Sequence, residues 1–371
     1  MKKTNEELIE GLDNSININH ESDESELTNV YPADVKVSRD VFSVYELKRK
    51  YEDRKTVVLD PDFQRENVWT TNQKSELIES ILMGIPLPVM YFAEDKYGNL
   101  QVIDGRQRLT ALFEFLNNKF RITSAPILTH IKRKKFSELE AKEQVKLEDY
   151  QLIVYIVKPQ TPDRIKFDIF DRVNRGGTPL NKQEMRNALY QGDSTILLKE
   201  LSELEIFKKA TGYAVNSKRM KDRYLILRFL GFYLLFNNQI RMEYRSDIDD
   251  FLGKIMEYIN KLDKEEINKL RKVFIRAMEN SYEILGENAF RIPNEGRKRP
   301  INMALFESLS YLMSFDIVRD KKTLVKDKIK SLFKDKGFVN SLEQKIDSSK
   351  SVETRFNKMK EVLEELDNES Y

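Results

Sequence analysis

In the first half of the chain, short runs of branched apolar residues alternate with stretches in which apolar residues recur every three or four positions. The runs at Val89–Ala93, Leu100–Ile103 and Leu152–Val157 predict buried strands, because strands favour such side chains. The stretch Leu77–Leu82 has the spacing of one apolar helix face, and Gly84 after it suits a helix C-cap. The pattern therefore predicts a domain that mixes helices and strands.

From about Ser194 onward the strand signals fade, and charged residues alternate with apolar residues at helical spacing. Tyr224–Phe236 is expected to be the most buried helix of this half, because it is apolar on nearly every side. Residues 1–31 are polar and acidic, which predicts a mobile tail. The predicted fold class is α+β, with a mixed domain over residues 32–193 and an all-α helical domain over residues 194–371.

The stretch LQVIDGRQRLTALFEFL, which begins at Leu100, is the strongest candidate for chemistry. It predicts a strand, a glycine turn and a helix, an arrangement that aims unpaired backbone N–H groups beyond the strand end. A phosphate would suit those groups and the nearby arginines, while a carboxylate can hold a metal ion or a water. The candidate residues of this junction are Asp104, Gly105, Arg106, Gln107 and Arg108.

An ordinary connection remains the alternative at this junction. Asp104 would then be the N-cap of the helix, and the two arginines would be solvated. Arg106 and Arg108 are two positions apart, so on a regular helix they point to nearly opposite sides. They converge on one ligand only if Arg106 still belongs to the turn.

The segment DGRQRLTAL resembles the signature, usually Asp-Gly-Gln-Gln-Arg, of the N-terminal domain of GmrSD-type restriction endonucleases. Four other segments resemble the same family in the same order: PDFQRENVW, LIESILMGIPLPVMYF, FDRVNRGGTPLNKQEMRNALY and RPINMALFESL. Together they span roughly residues 35–309. The resemblance implies a ParB/sulfiredoxin-like, nucleotide-binding fold for residues 32–193. Arg106 stands where the family usually has Gln, and the added charge could tighten phosphate binding or disturb the placement of a water.

Two loops add candidate residues to this site. In the PDFQR segment, Gln64 could orient a water or bind a base edge, and Arg65 could bind a phosphate or pair with a nearby aspartate. In the NRGG segment, two glycines let the backbone approach a ligand. The resemblance implies that Asn174, Arg175 and Glu184 lie beside the nucleotide.

The resemblance implies that the domain binds a nucleoside triphosphate with Mg²⁺ and hydrolyses it, in DNA restriction or another anti-phage defence. Catalytic roles are assigned to Asp104, Arg108, Gln107 and Gln64, and a possible metal-ligand role to Asp104. Phosphate or nucleotide contacts are assigned to Gly105, Arg106, Arg65, Asn174, Arg175 and Glu184. Two alternatives stay open: a DNA endonuclease acting through the same domain, and a non-catalytic specificity subunit of a separate nuclease.

The net charge, the positions of histidine and the motifs that the chain lacks limit which of these functions are possible. The formal net charge is +2, so DNA contact would depend on local basic clusters at Lys132–Lys135, Lys218–Arg223 and Arg297–Arg299. No histidine follows His130, so the helical half lacks the general base of a His-Asn-His nuclease module. The chain has no P-loop motif, no cysteine and no apolar run long enough to cross a bilayer. These features predict a soluble cytoplasmic protein without membrane contact.

Overall fold

The computed structural model describes residues 36–59, 69–173, 181–294 and 299–368. The described residues divide into two compact units between Leu189 and Tyr190. The first unit contains a five-stranded sheet together with helices, and the described part of the second is helical. The predicted α+β fold class, with a helical C-terminal region, is confirmed.

The sheet of the first unit has the strand order β1-β5-β3-β4-β2. Its strands are β1 (Val37–Ser43), β2 (Val57–Val58), β3 (Met90–Glu94), β4 (Leu100–Asp104) and β5 (Gln151–Val157). The β1–β5 and β3–β4 pairs are antiparallel, whereas the β3–β5 and β2–β4 pairs are parallel. The central strands are therefore β5, β3 and β4, and β1 and β2 form the two edges.

Helices pack on both faces of this sheet. They are α1 (Val44–Glu52), α2 (Thr71–Met83), α3 (Arg106–Leu116), α4 (Ala141–Glu148), α5 (Asp163–Val173) and α6 (Lys182–Leu189), with 3₁₀ turns at Thr129–Ile131 and Phe136–Glu138. Phe92 and Val102 pack in the larger apolar cluster with residues of α1 to α4. The next residues along the strands, Ala93 and Ile103, pack with residues of α5 and α6. Because successive side chains point to opposite faces of a strand, β3 and β4 contribute apolar residues to the clusters on both faces of the sheet.

Capping residues set both ends of helix α2, and Gly84 is the C-cap that its sequence predicts. The Gln73 amide donates to Thr70 Oγ1 at 3.3 Å, and the Thr70 amide donates to Gln73 Oε1 at 2.9 Å. Gly84 ends the helix in the left-handed conformation, with a φ of 79°. Because these contacts lie within a few residues of one another, the sequence alone was sufficient to predict them.

The second unit is a set of packed helices. They are α7 (Asp193–Glu203), α8 (Glu205–Ala210), α9 (Lys221–Phe236), α10 (Ile248–Ile259), α11 (Lys264–Leu285), α12 (Met303–Met313), α13 (Ile317–Asp320), α14 (Lys322–Leu332), α15 (Lys336–Glu343) and α16 (Ser349–Asn368), with 3₁₀ turns at Lys218–Met220 and Gly286–Asn288. Among the described residues, no helix combines the length and the hydropathy that crossing a membrane requires.

The most buried helix of this unit is α12, so the expectation for Tyr224–Phe236 was wrong. Every residue of α12 is buried, including Glu307, whereas α9 keeps Tyr224 and Tyr233 partly exposed. The sequence of α12 is misleading because it contains one acid and two serines. Burial is possible because partners on other helices compensate the acid.

Glu307 lies between two buried arginines. Its Oε2 accepts from Arg228 Nε at 2.5 Å, and its Oε1 accepts from Arg355 Nε at 3.0 Å. All three side chains are fully buried. Arg228 also binds Asp347 at 2.7 Å. Burial lowers the pKa of Arg228, but the Asp347 and Glu307 carboxylates outweigh it and hold that pKa well above its ordinary value. The charges of the cluster thus compensate one another.

Replacing Glu307 with Gln should destabilise the second unit by about 3–5 kcal/mol, because it leaves two buried guanidinium groups short of a counter-charge. Urea unfolding followed by circular dichroism measures the change. The matched control is Glu343→Gln, which removes a half-exposed partner of Arg299 and should change stability by less than about 1 kcal/mol. Equal effects of the two substitutions would contradict the role assigned to Glu307.

Candidate functional site

The junction between β4 and α3 depends on a glycine. Gly105 has a φ of 100°, in the left-handed region that favours glycine, and it lies between the last residue of β4 and the first residue of α3. A Cβ atom placed on Gly105 would lie 2.6 Å from Cγ of Met90, which is fully buried. Both the backbone angle and the packing against β3 therefore require glycine at this turn.

A β-bulge precedes this turn. Val102 of β4 pairs with Phe92 of β3, and Asp104 pairs with the preceding residue, Tyr91. One additional residue of β4, Ile103, thus lies between two successive pairs. Bulges change the direction of the side chains near a strand end. Here the bulge immediately precedes Asp104, the candidate carboxylate predicted from the sequence.

Asp104 and Arg108 face each other across the glycine turn. Arg108 Nη2 donates to Asp104 Oδ2 at 2.7 Å and to the Val89 carbonyl at 3.3 Å, and Nη1 donates to the Pro88 carbonyl. The side chain of Arg108 is 11% exposed and that of Asp104 is 37% exposed. Burial lowers the pKa of Arg108, and the Asp104 carboxylate opposes that change. Arg108 therefore holds Asp104 in place, while the carboxylate reaches solvent.

Helix α3 begins without a side-chain cap. Its N-cap residue is Gly105, which makes no side-chain hydrogen bond, and its first turn contains no acidic residue. Asp104 is therefore not the N-cap, contrary to the structural alternative above. Several other helices have side-chain caps, from Ser43, Thr70, Asp247, Asp263, Asn302 and Asp335. Within the described parts of the chain, helices α7, α8, α9, α13 and α14 also lack a side-chain cap, so this feature is not unique to α3. The positive end of the α3 dipole is thus left to interact with an anion.

Arg106 and Gln107 bind groups on either side of the junction. Arg106 is the first residue of α3, and its Nη2 donates to the Val102 carbonyl at 3.1 Å. The described contacts of Arg106 and Arg108 are thus to different groups, and Arg106 belongs to the helix rather than to the turn. Gln107 Oε1 accepts from the Trp69 amide at 3.2 Å, which connects α3 to the residue that closes the PDFQRENVW segment.

Of the five remaining predicted site residues, the structure describes only Glu184. Glu184 is buried and forms a capping box at the start of α6, where its Oε2 accepts from the Asn181 amide at 2.6 Å. Its own amide donates to Asn181 Oδ1 at 2.9 Å. The other four predicted site residues, Gln64, Arg65, Asn174 and Arg175, lie outside the described residues. Their assigned roles stay predictions, as does that of Glu184.

The described residues suit an Mg²⁺ ion that binds together with a phosphate ligand. They suit less well a metal ion that protein side chains hold by themselves. Within residues 36–59, 69–173, 181–294 and 299–368, no group of three or more His, Cys, Asp or Glu side chains could hold a metal. Asp104 uses Oδ2 in its ion pair, and its Oδ1 remains available. Mg²⁺ is commonly held by one or two carboxylates together with substrate phosphates and waters. A single carboxylate with one available oxygen meets that requirement.

Two residues near the junction were not singled out from the sequence. Tyr91 lies opposite Asp104 in the sheet, and the Trp69 backbone binds Gln107. The register between strands, which places Tyr91 there, cannot be read from one sequence. For Trp69 a signal was present, since it ends a segment already assigned to the site.

Gly105→Ala should destabilise the first unit by about 2–4 kcal/mol, because it combines an unfavourable φ with a clash against Met90. Gly98→Ala is the control: its φ of 83° is also left-handed, but nothing lies within 4 Å of the added Cβ. The control should cost about 1 kcal/mol. Urea titration of both variants measures the difference, and equal losses would show that packing against Met90 contributes nothing.

Residues 44–191 match the family model of the N-terminal domain of GmrSD restriction endonucleases. This range contains the β4–α3 junction and both loops that supplied the additional candidates. A comparison with curated proteins found no match to the chain. The match confirms the resemblance for the four segments that lie within it, whereas the segment RPINMALFESL lies outside the matched range. Residues 44–191 therefore form a domain of the GmrSD restriction endonuclease N-terminal family, and this domain indicates a restriction-endonuclease-related function.

Proposed function

We propose that this domain binds a nucleoside triphosphate with Mg²⁺ at the β4–α3 junction and hydrolyses it as part of DNA restriction. The observation that carries the proposal is the Asp104 carboxylate, which Arg108 holds at 2.7 Å beside the uncapped start of α3. A helix start without a cap favours phosphate oxygens. A fixed carboxylate beside it favours a cation that those phosphates bring.

Each described group of the junction has a distinct part in this proposal. First-turn N–H groups of α3 would donate to phosphate oxygens, and Gly105 lets the backbone approach them closely. Asp104 would hold Mg²⁺ or the attacking water through its Oδ1. When bound, the ion would neutralise charge on the phosphates.

Arg108 acts mainly by positioning Asp104. It uses three of its five N–H groups on Pro88, Val89 and Asp104. This changes its expected role, since a nearly buried guanidinium can offer only one edge to a phosphate. Since Arg106 belongs to α3 and does not converge with Arg108 on one group, charge neutralisation would then depend more on Arg65, with Gln107, Gln64 and Asn174 orienting polar atoms of the ligand. Arg175 and Glu184 would lie at the periphery of the nucleotide.

In hydrolysis, a water oxygen bonds to the terminal phosphorus while the bond from that phosphorus to its bridging oxygen breaks. Positioning and charge neutralisation supply most of the rate acceleration in such phosphoryl transfers. A held carboxylate, a helix start and nearby arginines match that requirement, because none of them needs to form a covalent bond with the substrate.

A second candidate is a specificity subunit that binds nucleotide or DNA while a separate nuclease cuts. The observation that favours it is the distribution of histidine: no histidine follows His130 in the sequence, and His130 is bound to Glu143 at 2.7 Å. DNA contact would use basic clusters such as Lys132–Lys135, where Lys132 and Arg133 are exposed.

Asp104→Ala should lower Mg²⁺-dependent phosphate release from the best of the four nucleoside triphosphates by at least about 100-fold, because it removes the group that holds the ion or the water. The matched control is Glu114→Gln. Glu114 lies on α3, the helix that follows Asp104, is 30% exposed and pairs with Lys74 at 2.6 Å. Its loss should leave release unchanged. Equal rates in Asp104→Ala and wild type would contradict the assignment.

Binding can be measured separately, because Trp69 is the only tryptophan and its backbone binds Gln107. We expect nucleoside triphosphate with Mg²⁺ to change the Trp69 emission of the wild type, and Arg108→Met to weaken that response at least tenfold by releasing Asp104. A response without phosphate release would favour the specificity subunit. No response, together with metal-dependent nicking of plasmid DNA, would favour an endonuclease.

A further inference from the structure

Three paired residues connect the outer edge of the sheet to Asp104. Arg39 of β1 pairs with Tyr155 of β5, Tyr155 pairs with Tyr91 of β3, and Tyr91 pairs with Asp104 of β4. Directly paired residues in neighbouring strands present their side chains on the same face of a sheet. Arg39, Tyr155 and Tyr91 therefore form one row that runs across the strands and ends at the candidate site.

The two tyrosines of this row pack against each other rather than into a core. Their ring centroids lie 5.5 Å apart with an interplanar angle of 27°. Both side chains are partly exposed, and neither belongs to the two apolar clusters formed by described residues on the faces of the sheet. Among the described residues, neither hydroxyl has a hydrogen-bond partner. In the part of the chain that the structure describes, neither ring has another aromatic or cation–π contact, so the ring faces that point away from the pair can also meet a ligand.

The neighbouring positions on β1 extend this open surface. Val37 is 43% exposed and Val41 is 48% exposed, and Arg39 between them is also exposed. Side chains at alternate positions of a strand share a face, so these three lie beside the tyrosine row. An exposed apolar patch with one cationic side chain, continuous with a polar site, has the composition of a ligand surface rather than of a core.

The spacing of the row suits a nucleotide. Neighbouring strands lie about 4.8 Å apart, so Tyr91 and Tyr155 are roughly 5 and 10 Å from Asp104 along the row. In a nucleoside triphosphate the ribose separates the phosphates from the base by a comparable distance. Aromatic side chains on a sheet stack bases readily, because every base has a π-face.

We propose that Tyr91 and Tyr155 form the base-stacking surface for the nucleoside triphosphate whose phosphates bind at the β4–α3 junction. This inference rests on the proposed function, since it assigns the base end of the same ligand. Arg39 lies at the outer end of the row, where its guanidinium reaches the edge or face of the bound base.

The test compares ligands with and without a base on the full-length protein. Affinities for ATP, GTP, CTP, UTP and inorganic tripolyphosphate, each with Mg²⁺, are measured by isothermal titration calorimetry. The variants are Tyr91→Leu and Tyr155→Leu, with Tyr91→Phe and Tyr155→Phe to retain the rings. Tyr97→Leu serves as the control, because Tyr97 is 77% exposed in the turn between β3 and β4. Circular dichroism verifies that each variant is folded.

We expect the wild type to bind at least one nucleoside triphosphate more tightly than tripolyphosphate. Each Leu variant should reduce that advantage about tenfold, with tripolyphosphate affinity unchanged, because stacking on one aromatic ring contributes a free energy of that size. Both Phe variants and Tyr97→Leu should behave like the wild type.

Other outcomes would overturn the proposal in distinguishable ways. If both Leu variants still bound nucleotide tightly and with the same preference over tripolyphosphate, the stacking proposal would be wrong and the proposed function would be unaffected. An equal loss of nucleotide and tripolyphosphate binding would show a structural role for the tyrosines. If the wild type bound neither ligand, the proposed function itself would fail.

Discussion

The left-handed turn at Gly105 is the constraint on which the candidate site depends. It lets the chain reverse from β4 into α3 while the backbone lies against Met90 of the neighbouring strand. Only with that reversal can Arg108, four residues after Asp104, place its guanidinium on the carboxylate. The same turn leaves no side chain at the N-cap position. One glycine therefore produces both the ion pair and the open helix start.

The two units compensate buried charge in different ways. In the first unit, Arg108 is almost covered but binds backbone carbonyls and a carboxylate that reaches solvent. In the second, Glu307 is fully buried between two arginines that are themselves fully buried. The first arrangement keeps one charged oxygen available to a ligand, whereas the second satisfies its groups inside the helical core. The first arrangement is therefore the one that suits the proposed ligand, whereas the second contributes to the structure of the helical unit.

The sheet connects the β4–α3 junction to its outer edge at β1. Because β4, β3, β5 and β1 are neighbours in that order, residues far apart in the chain form one row that ends at Asp104. A nucleotide that contacts the helix start at one end can reach the tyrosine pair of the same row. The GmrSD-type N-terminal domain would thus contact its ligand through two elements that differ in chemistry, a helix start and a strand surface.

Local features of this protein could be predicted from its sequence, because their partners are close in the chain. The capping boxes of Thr70 with Gln73 and of Asn181 with Glu184 follow from spacing, as do the strand and helix that meet at Gly105. The motif at Asp104 also identified the family. Tertiary structure alone decided which residues meet across the sheet, since strand register depends on packing rather than on spacing. It placed Tyr91 opposite Asp104 and turned Arg108 onto the carbonyls of Pro88 and Val89. It also made α12 the most buried helix, because the counter-charges of Glu307 come from helices distant in the chain.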